Sequence, residues 1–146
     1  MLRGNHQARI DDKGRLKIPN GFRTLIETQY GAEVFVTSVS GENVLIYPLA
    51  VWTEIERKLA AVPSANPAKR RFLERVNYFG QIVTMDKQGR VLLPQSLRDP
   101  AGMIGDVNVL GQLNHLEVWN SKRLLERFKR EPFSEEDGRA LAEFGI

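Results

Sequence analysis

The sequence predicts an α+β fold built from two tandem copies of one small unit, each running strand, strand, helix, strand, strand, helix. Three observations carry that prediction. The segment "DDKGRLKIP" at residues 11–19 returns as "DKQGRVLLP" at residues 86–94, so Asp11, Gly14, Arg15 and Pro19 match Asp86, Gly89, Arg90 and Pro94 at a constant offset of 75. Four such matches arise by chance at roughly one start in a hundred thousand. Short extended runs flank turn residues in both halves, and segments with apolar residues at helical spacing follow them.

In chain order, "HQARID" and "RLKIP" bracket the turn "DKG", a hairpin signal strengthened by the permissive glycine. Pro19 ends the second run and starts a helix, "PNGFRTLIETQ", with Phe22, Leu25 and Ile26 on one face. A second hairpin follows as "EVFVTSV", turn "SGEN" and "VLIYP"; after Pro48 a helix carries Leu49, Trp52, Ile55 and Leu59 on one stripe. The connector "PSANPAKRRFLERVNYFG" starts a helix at its prolines, with Lys69, Arg70 and Arg71 at its beginning and Phe72, Leu73 and Val76 as its apolar side. The second unit repeats the order: "GQIVTMD", turn "KQG" and "RVLLP", then a short helix "PQSLRDPAG" broken by Pro100. "DVNVLGQ" and "HLEVW" form its second hairpin, and "SKRLLERFKRE" closes it as a helix with Leu124, Leu125 and Phe128 expected to face inward. The boundaries are a first repeat at 1–52, connecting helices at 53–79, a second repeat at 80–124, and a closing helix with an acidic tail at 125–146. The last 16 residues are weakly patterned and expected to pack loosely.

A unit of about 50 residues buries too little surface to be robust alone, so the two units are expected to share a core. Composition is that of a globular domain, 42% hydrophobic and 27% charged. No apolar run approaches the ~18 residues needed to cross a membrane. The start, "MLRGNHQARIDD", holds no apolar stretch of signal-peptide length, so the cytoplasm is the expected compartment, and the absence of cysteine removes disulfides and thiol chemistry. Charge is polarised. Arg3, Arg9, Lys13, Arg15, Lys17 and Arg23 face only Asp11 and Asp12 within residues 1–25, whereas residues 131–146 hold Glu131, Glu135, Glu136, Asp137 and Glu143 against Arg139. A basic end attracts nucleic acid or other polyanions, and an acidic tail keeps the opposite side from doing so.

Enzymatic chemistry finds little to work with. No phosphate-binding glycine loop, dinucleotide fingerprint or helical zinc motif is present, and neither a cofactor nor a metal is implied. His6 lies in the basic end, where a phosphate contact suits it, and His115 opens a strand, where a hydrogen-bonded structural role fits. Asp11 and Asp86 could be paired by the repeat as in a proton-sharing aspartate dyad. Against that hydrolase reading, Arg15 and Arg90 offer each acid a permanent cation four residues on, which keeps both ionised. The acid has a structural task instead: an Asp entering a tight turn accepts from backbone N–H groups within it. With Asp11, Asp86 and Gly89 shaping the turns, the arginines are braced for phosphate and base-edge contact. Arg3, Lys13, Gly14, Arg15, Lys17 and Arg90 are the candidate DNA-binding residues, the first turn being the more basic. A scaffold whose basic face binds acidic protein partners is the competing reading.

The turns "DDKGR" and "DKQGR", with "LRG" near the start, "LIYPLAVW", "NPAKRRF" and "GQLNHLEVW", together resemble the MraZ family over about residues 1–125. That resemblance implies tandem AbrB-like swapped-hairpin units forming a pseudo-twofold β-barrel with flanking helices. It also implies chains assembled into homo-oligomeric rings. It implies further a nucleoid-associated transcriptional regulator that binds double-stranded DNA at promoter direct repeats of the division and cell-wall gene cluster. No membrane and no small-molecule ligand enter that picture.

Overall fold

Turn glycines and alternating apolar residues divide the chain into eight strands and six helices in a computed structural model that describes residues 1–146. The first unit holds β1 (Asn5–Ile10), β2 (Arg15–Lys17), α1 (Asn20–Tyr30), β3 (Glu33–Thr37), β4 (Val44–Pro48) and α2 (Leu49–Ala60). The connector is α3 (Pro67–Tyr78), whose Asn66 side chain accepts from the N–H groups of Ala68 and Lys69 and so satisfies two otherwise unpaired donors. The second unit holds β5 (Gln81–Thr84), β6 (Arg90–Leu92), α4 (Gln95–Arg98), β7 (Gly105–Gly111), β8 (Leu116–Asn120) and α5 (Ser121–Arg130), and α6 (Glu135–Ala142) follows.

The strands form one antiparallel sheet in the order β5-β3-β4-β8-β7-β1-β2-β6. Its two edge strands are joined by the turn at Asp86, whose N–H donates to Arg90 O at 3.0 Å, so the sheet curls into a nearly closed barrel. The local hairpin expected from β1 and β2 is only a root, paired at Ile10 with Leu16. β1 instead runs for six residues against β7, and its counterpart β5 runs against β3. Each unit thus lends its first strand to the other. Two pairings lie on the pseudo-twofold axis, β2 with β6 centred on Leu16 and Val91, and β4 with β8 centred on Leu45 and Glu117. The swap follows from backbone pairing: β2, three residues long, cannot partner all of β1, whereas the other unit's longer β7 partners all six of its residues.

Inward residues of all these strands share one core, in which Leu16, Ile18, Val34, Val36, Val91, Leu93, Val107 and Val109 are fully buried. Phe22 and Ile26 of α1 and Leu97 of α4 join it. A second, smaller cluster of Phe35, Trp52 and Val76 seats α2 and α3 on the outer wall, with the Phe35 and Trp52 rings stacked at 4.7 Å. Two expectations are corrected at the end of the chain. Only Leu124 of α5 turns inward, while Leu125 and Phe128 are 62% and 56% exposed, because the sheet offers that helix room for one apolar row. The acidic tail is not without pattern, since Ser134 and Asp137 make a capping box that starts α6, although that helix buries no side chain.

Candidate nucleic-acid interface

The repeated motif folds into the same turn twice. Asp11 Oδ1 accepts from the N–H groups of Lys13 and Arg15, each at 2.9 Å, and its Oδ2 accepts from Arg15 Nε at 2.7 Å. Asp86 does the same for Gln88 and Arg90, with its Oδ2 accepting from Arg90 Nε at 2.8 Å. Gly14 and Gly89 close the turns at φ of +79° and +76°, a conformation that a side chain would strain. One carboxylate therefore fixes both the backbone of the turn and the direction of the arginine that follows it. The Arg90 N–H, against an opposing contribution from burial, holds Asp86 at a pKa of about 2, and Asp11 is lowered by the Arg15 N–H in the same way. Two carboxylates held ionised by their own turns do not share a proton, so the dyad chemistry has no basis here.

Strand alternation decides where the arginines point. Leu16 and Val91 are buried, so their neighbours Arg15, Lys17, Arg90 and Leu92 lie on the outward side of the β2–β6 ribbon. Arg15 pairs in register with Leu92 and Lys17 with Arg90, which makes the two motif arginines diagonal neighbours. From the rise along a strand and the spacing between strands, their Cα atoms stand about 8 Å apart. The two turns thus serve one surface, to which each unit contributes half. An outward two-stranded ribbon with cations on it has the dimensions of a major-groove reader.

The units also brace each other's turns. Leu93 N–H donates to Gly14 O at 3.0 Å and Ile18 N–H donates to Gly89 O at 2.9 Å. Arg98 lies against Gly14 and Arg23 against Gly89, so closely that a Cβ on Gly14 would stand 2.1 Å from Arg98 Nη1 and one on Gly89 would stand 2.6 Å from Arg23 Cδ. Sequence reasoning missed this pair as a pair, although the signal was there: Arg23 and Arg98 keep the offset of 75. By distance along the chain, Arg23 belongs with the first turn and Arg98 with the second. The swapped topology reverses both assignments, and Arg23 Nη2 donates to Lys87 O at 2.8 Å.

The other sequence candidates are spread over the barrel. Lys13 is exposed at the tip of the first turn, and Lys17 is exposed on the ribbon. Arg3 lies at the opposite end of β1 from Asp11, next to the bridge between Leu2 and Leu113, and is not brought to the turn. His6 packs edge-on against Phe22 at 4.9 Å. His115 stacks on Tyr47 at 4.4 Å with Nδ1 2.8 Å from Asn114 Oδ1, and burial lowers its pKa, as suits a structural histidine.

Comparison with known proteins agrees with the twofold design. The family described as "MraZ protein, putative antitoxin-like" matches the chain twice, at residues 1–75 and again at 81–144. The chain is 52% identical over 146 residues to the transcriptional regulator MraZ of Acidobacterium capsulatum, covering 100% of both chains. It is 46% identical over 147 residues to that of Koribacter versatilis, again over 100% of both. With the protein of the same name from Tolumonas auensis it shares 35% identity over 144 residues, 98% of this chain and 91% of the relative.

Proposed function

Because this chain belongs to the MraZ family, whose curated members are named transcriptional regulators, we propose that it regulates transcription by binding double-stranded DNA through the β2–β6 ribbon. The observation that carries this reading is the outward row of Arg15, Lys17 and Arg90 on a ribbon shared by both units, with each arginine braced by its own aspartate. Bracing fixes the guanidinium before DNA arrives, so less side-chain freedom is lost on binding. Arg15 and Arg90 are proposed to read base edges, while Lys13 and Lys17 neutralise phosphates. Asp11, Asp86, Gly14 and Gly89 shape the turns.

One ribbon makes few phosphate contacts, so tight binding calls for several ribbons at fixed spacing. A homo-oligomeric ring reading direct repeats supplies them, and the promoter of the division and cell-wall gene cluster, within the nucleoid, is the proposed target. The test is a fluorescence titration of a labelled duplex from upstream of the protein's own gene, beside a scrambled duplex, at several salt concentrations. Affinity should favour the upstream duplex, fall steeply with salt, and lose part of its sequence preference in Arg15→Ala. Binding that ignores both sequence and salt would exclude the reading.

A further inference from the structure

We propose that Arg98, carried by the short helix of the second unit, is a DNA-phosphate contact of the first turn. The pseudo-twofold axis supplies the comparison. Its counterpart Arg23 is fully engaged: Nε donates to Glu27 Oε1 at 2.9 Å and Nη2 donates to Lys87 O at 2.8 Å. The position equivalent to Glu27 at the offset of 75 is Gly102, so the second unit has no carboxylate to give Arg98. Arg98 makes no ion pair and no side-chain hydrogen bond, and its buried Nε is left without an acceptor. With Nε buried, the terminal Nη groups are the part of the guanidinium that can meet an arriving anion, and no carboxylate is paired with them.

The place of this unpaired cation is set by Gly14. A Cβ there would collide with the guanidinium, so the glycine both turns the backbone and admits Arg98 onto the DNA-facing turn. Arg98 borders a recess of about 480 Å³ between the first turn and α4, lined also by Arg9, Asp11, Asp12 and Asp99. Asp11 is committed to Arg15, and neither Asp12 nor Asp99 pairs with Arg98. Held flat against the backbone, the side chain is not free to extend into a groove and read a base. Its planar fork suits a phosphate oxygen pair at the groove's edge.

This assignment rests on the DNA-binding reading above, and its test separates the two. Titrations over a salt series compare the intact protein with Arg98→Gln, Arg98→Lys, Arg15→Ala and, as a control on the outer helix α2, Arg57→Gln, on the upstream and scrambled duplexes, each variant first checked for an unchanged melting temperature and solution mass. Arg98→Gln should weaken both duplexes alike, roughly three- to tenfold, and reduce the slope of log K against log salt by about 0.9 for each ribbon engaged. Arg98→Lys should keep most of the slope even where glutamine disturbs the fold, and Arg57→Gln should leave the slope unchanged. An unaltered slope in Arg98→Gln overturns the phosphate contact while the ribbon reading stands, provided Arg15→Ala reduces sequence preference. If both variants bind like the intact protein, the ribbon reading fails too. Melting in added inorganic phosphate should not distinguish Arg98→Gln from the intact protein; an Arg98-dependent rise would make this a free-anion site and overturn the assignment to DNA.

Discussion

Asp11 and Asp86 make the same three hydrogen bonds in two different sequence contexts, "DDKGR" and "DKQGR", so the residues that matter to the turn are the acid, the glycine and the arginine. Arg15→Ala should cost about 1–3 kcal/mol on the preferred duplex and flatten preference at one base position, whereas Lys13→Ala should weaken all sequences alike. Titration of both variants on two duplexes reads the difference. Arg15 should also matter more than Arg90, for a reason narrower than the charge of the two halves. The first turn carries the unpaired Arg98, whereas the equivalent Arg23 on the second turn is engaged with Glu27 and with Lys87 O. The carboxylates bear on stability through acid. Asp86 has a folded pKa of about 2, below its ordinary value of 3.8, so its contribution is fully present above the ordinary value and is lost as pH falls toward 2. Asp86→Asn should therefore lower the melting temperature at neutral pH, and the gap to the intact protein should close between pH 4 and pH 2. A gap that stays constant through that range would remove the turn carboxylate from the stability account. At this scale the motif was legible in the sequence because its geometry is local, spanning five residues. The bracing by Arg23 and Arg98 was not, because each arginine acts on the turn of the other unit.

Among the elements, runs that alternate or carry a helical stripe declared themselves, and strands and helices fall close to where the pattern put them. Partners did not. "HQARID" and "RLKIP" read as a hairpin because turn chemistry is local, yet β1 spends its length on β7, about 100 residues away by the offset of its register pairs such as Ala8 with Val107. Pairing is chosen by which strand can supply backbone partners along the whole length, and no short window records that. Residues 1–60 alone lack the partners of β1, β2 and the outer edge of β3. That fragment should be unfolded, or pair with a second copy of itself so that the missing strands are supplied in trans. Amide NMR dispersion and sedimentation check this, and a well-dispersed monomer would contradict the swap. The closing helix shows the same limit in reverse, since its stripe of Leu124, Leu125 and Phe128 promised burial that the sheet grants only to the first.

For the molecule as a whole, the doubled motif is explained by the barrel: one closed sheet needs two units, and the ribbon on its axis needs one strand from each. The large apolar residues of α2 and the connector are mostly spent within one chain. Trp52 is 3% exposed, Phe72 packs against the same cluster, and Phe79 packs on the main core. The apolar surface left over includes Tyr78, Ile82, Leu125, Phe128 and Phe133. If several ribbons act together, the solution mass at micromolar concentration should be a multiple of 16.6 kDa, and a monomer with full DNA affinity would refute the ring. The central claim, that the two repeats jointly build one DNA-binding ribbon, is tested most directly by amide hydrogen exchange with and without the upstream duplex. Residues 11–17 and 86–92 should both slow on adding DNA, while the opposite axial pairing, 44–48 with 116–120, should exchange as before. Protection confined to the second pairing, or absent from both turns, would contradict the account.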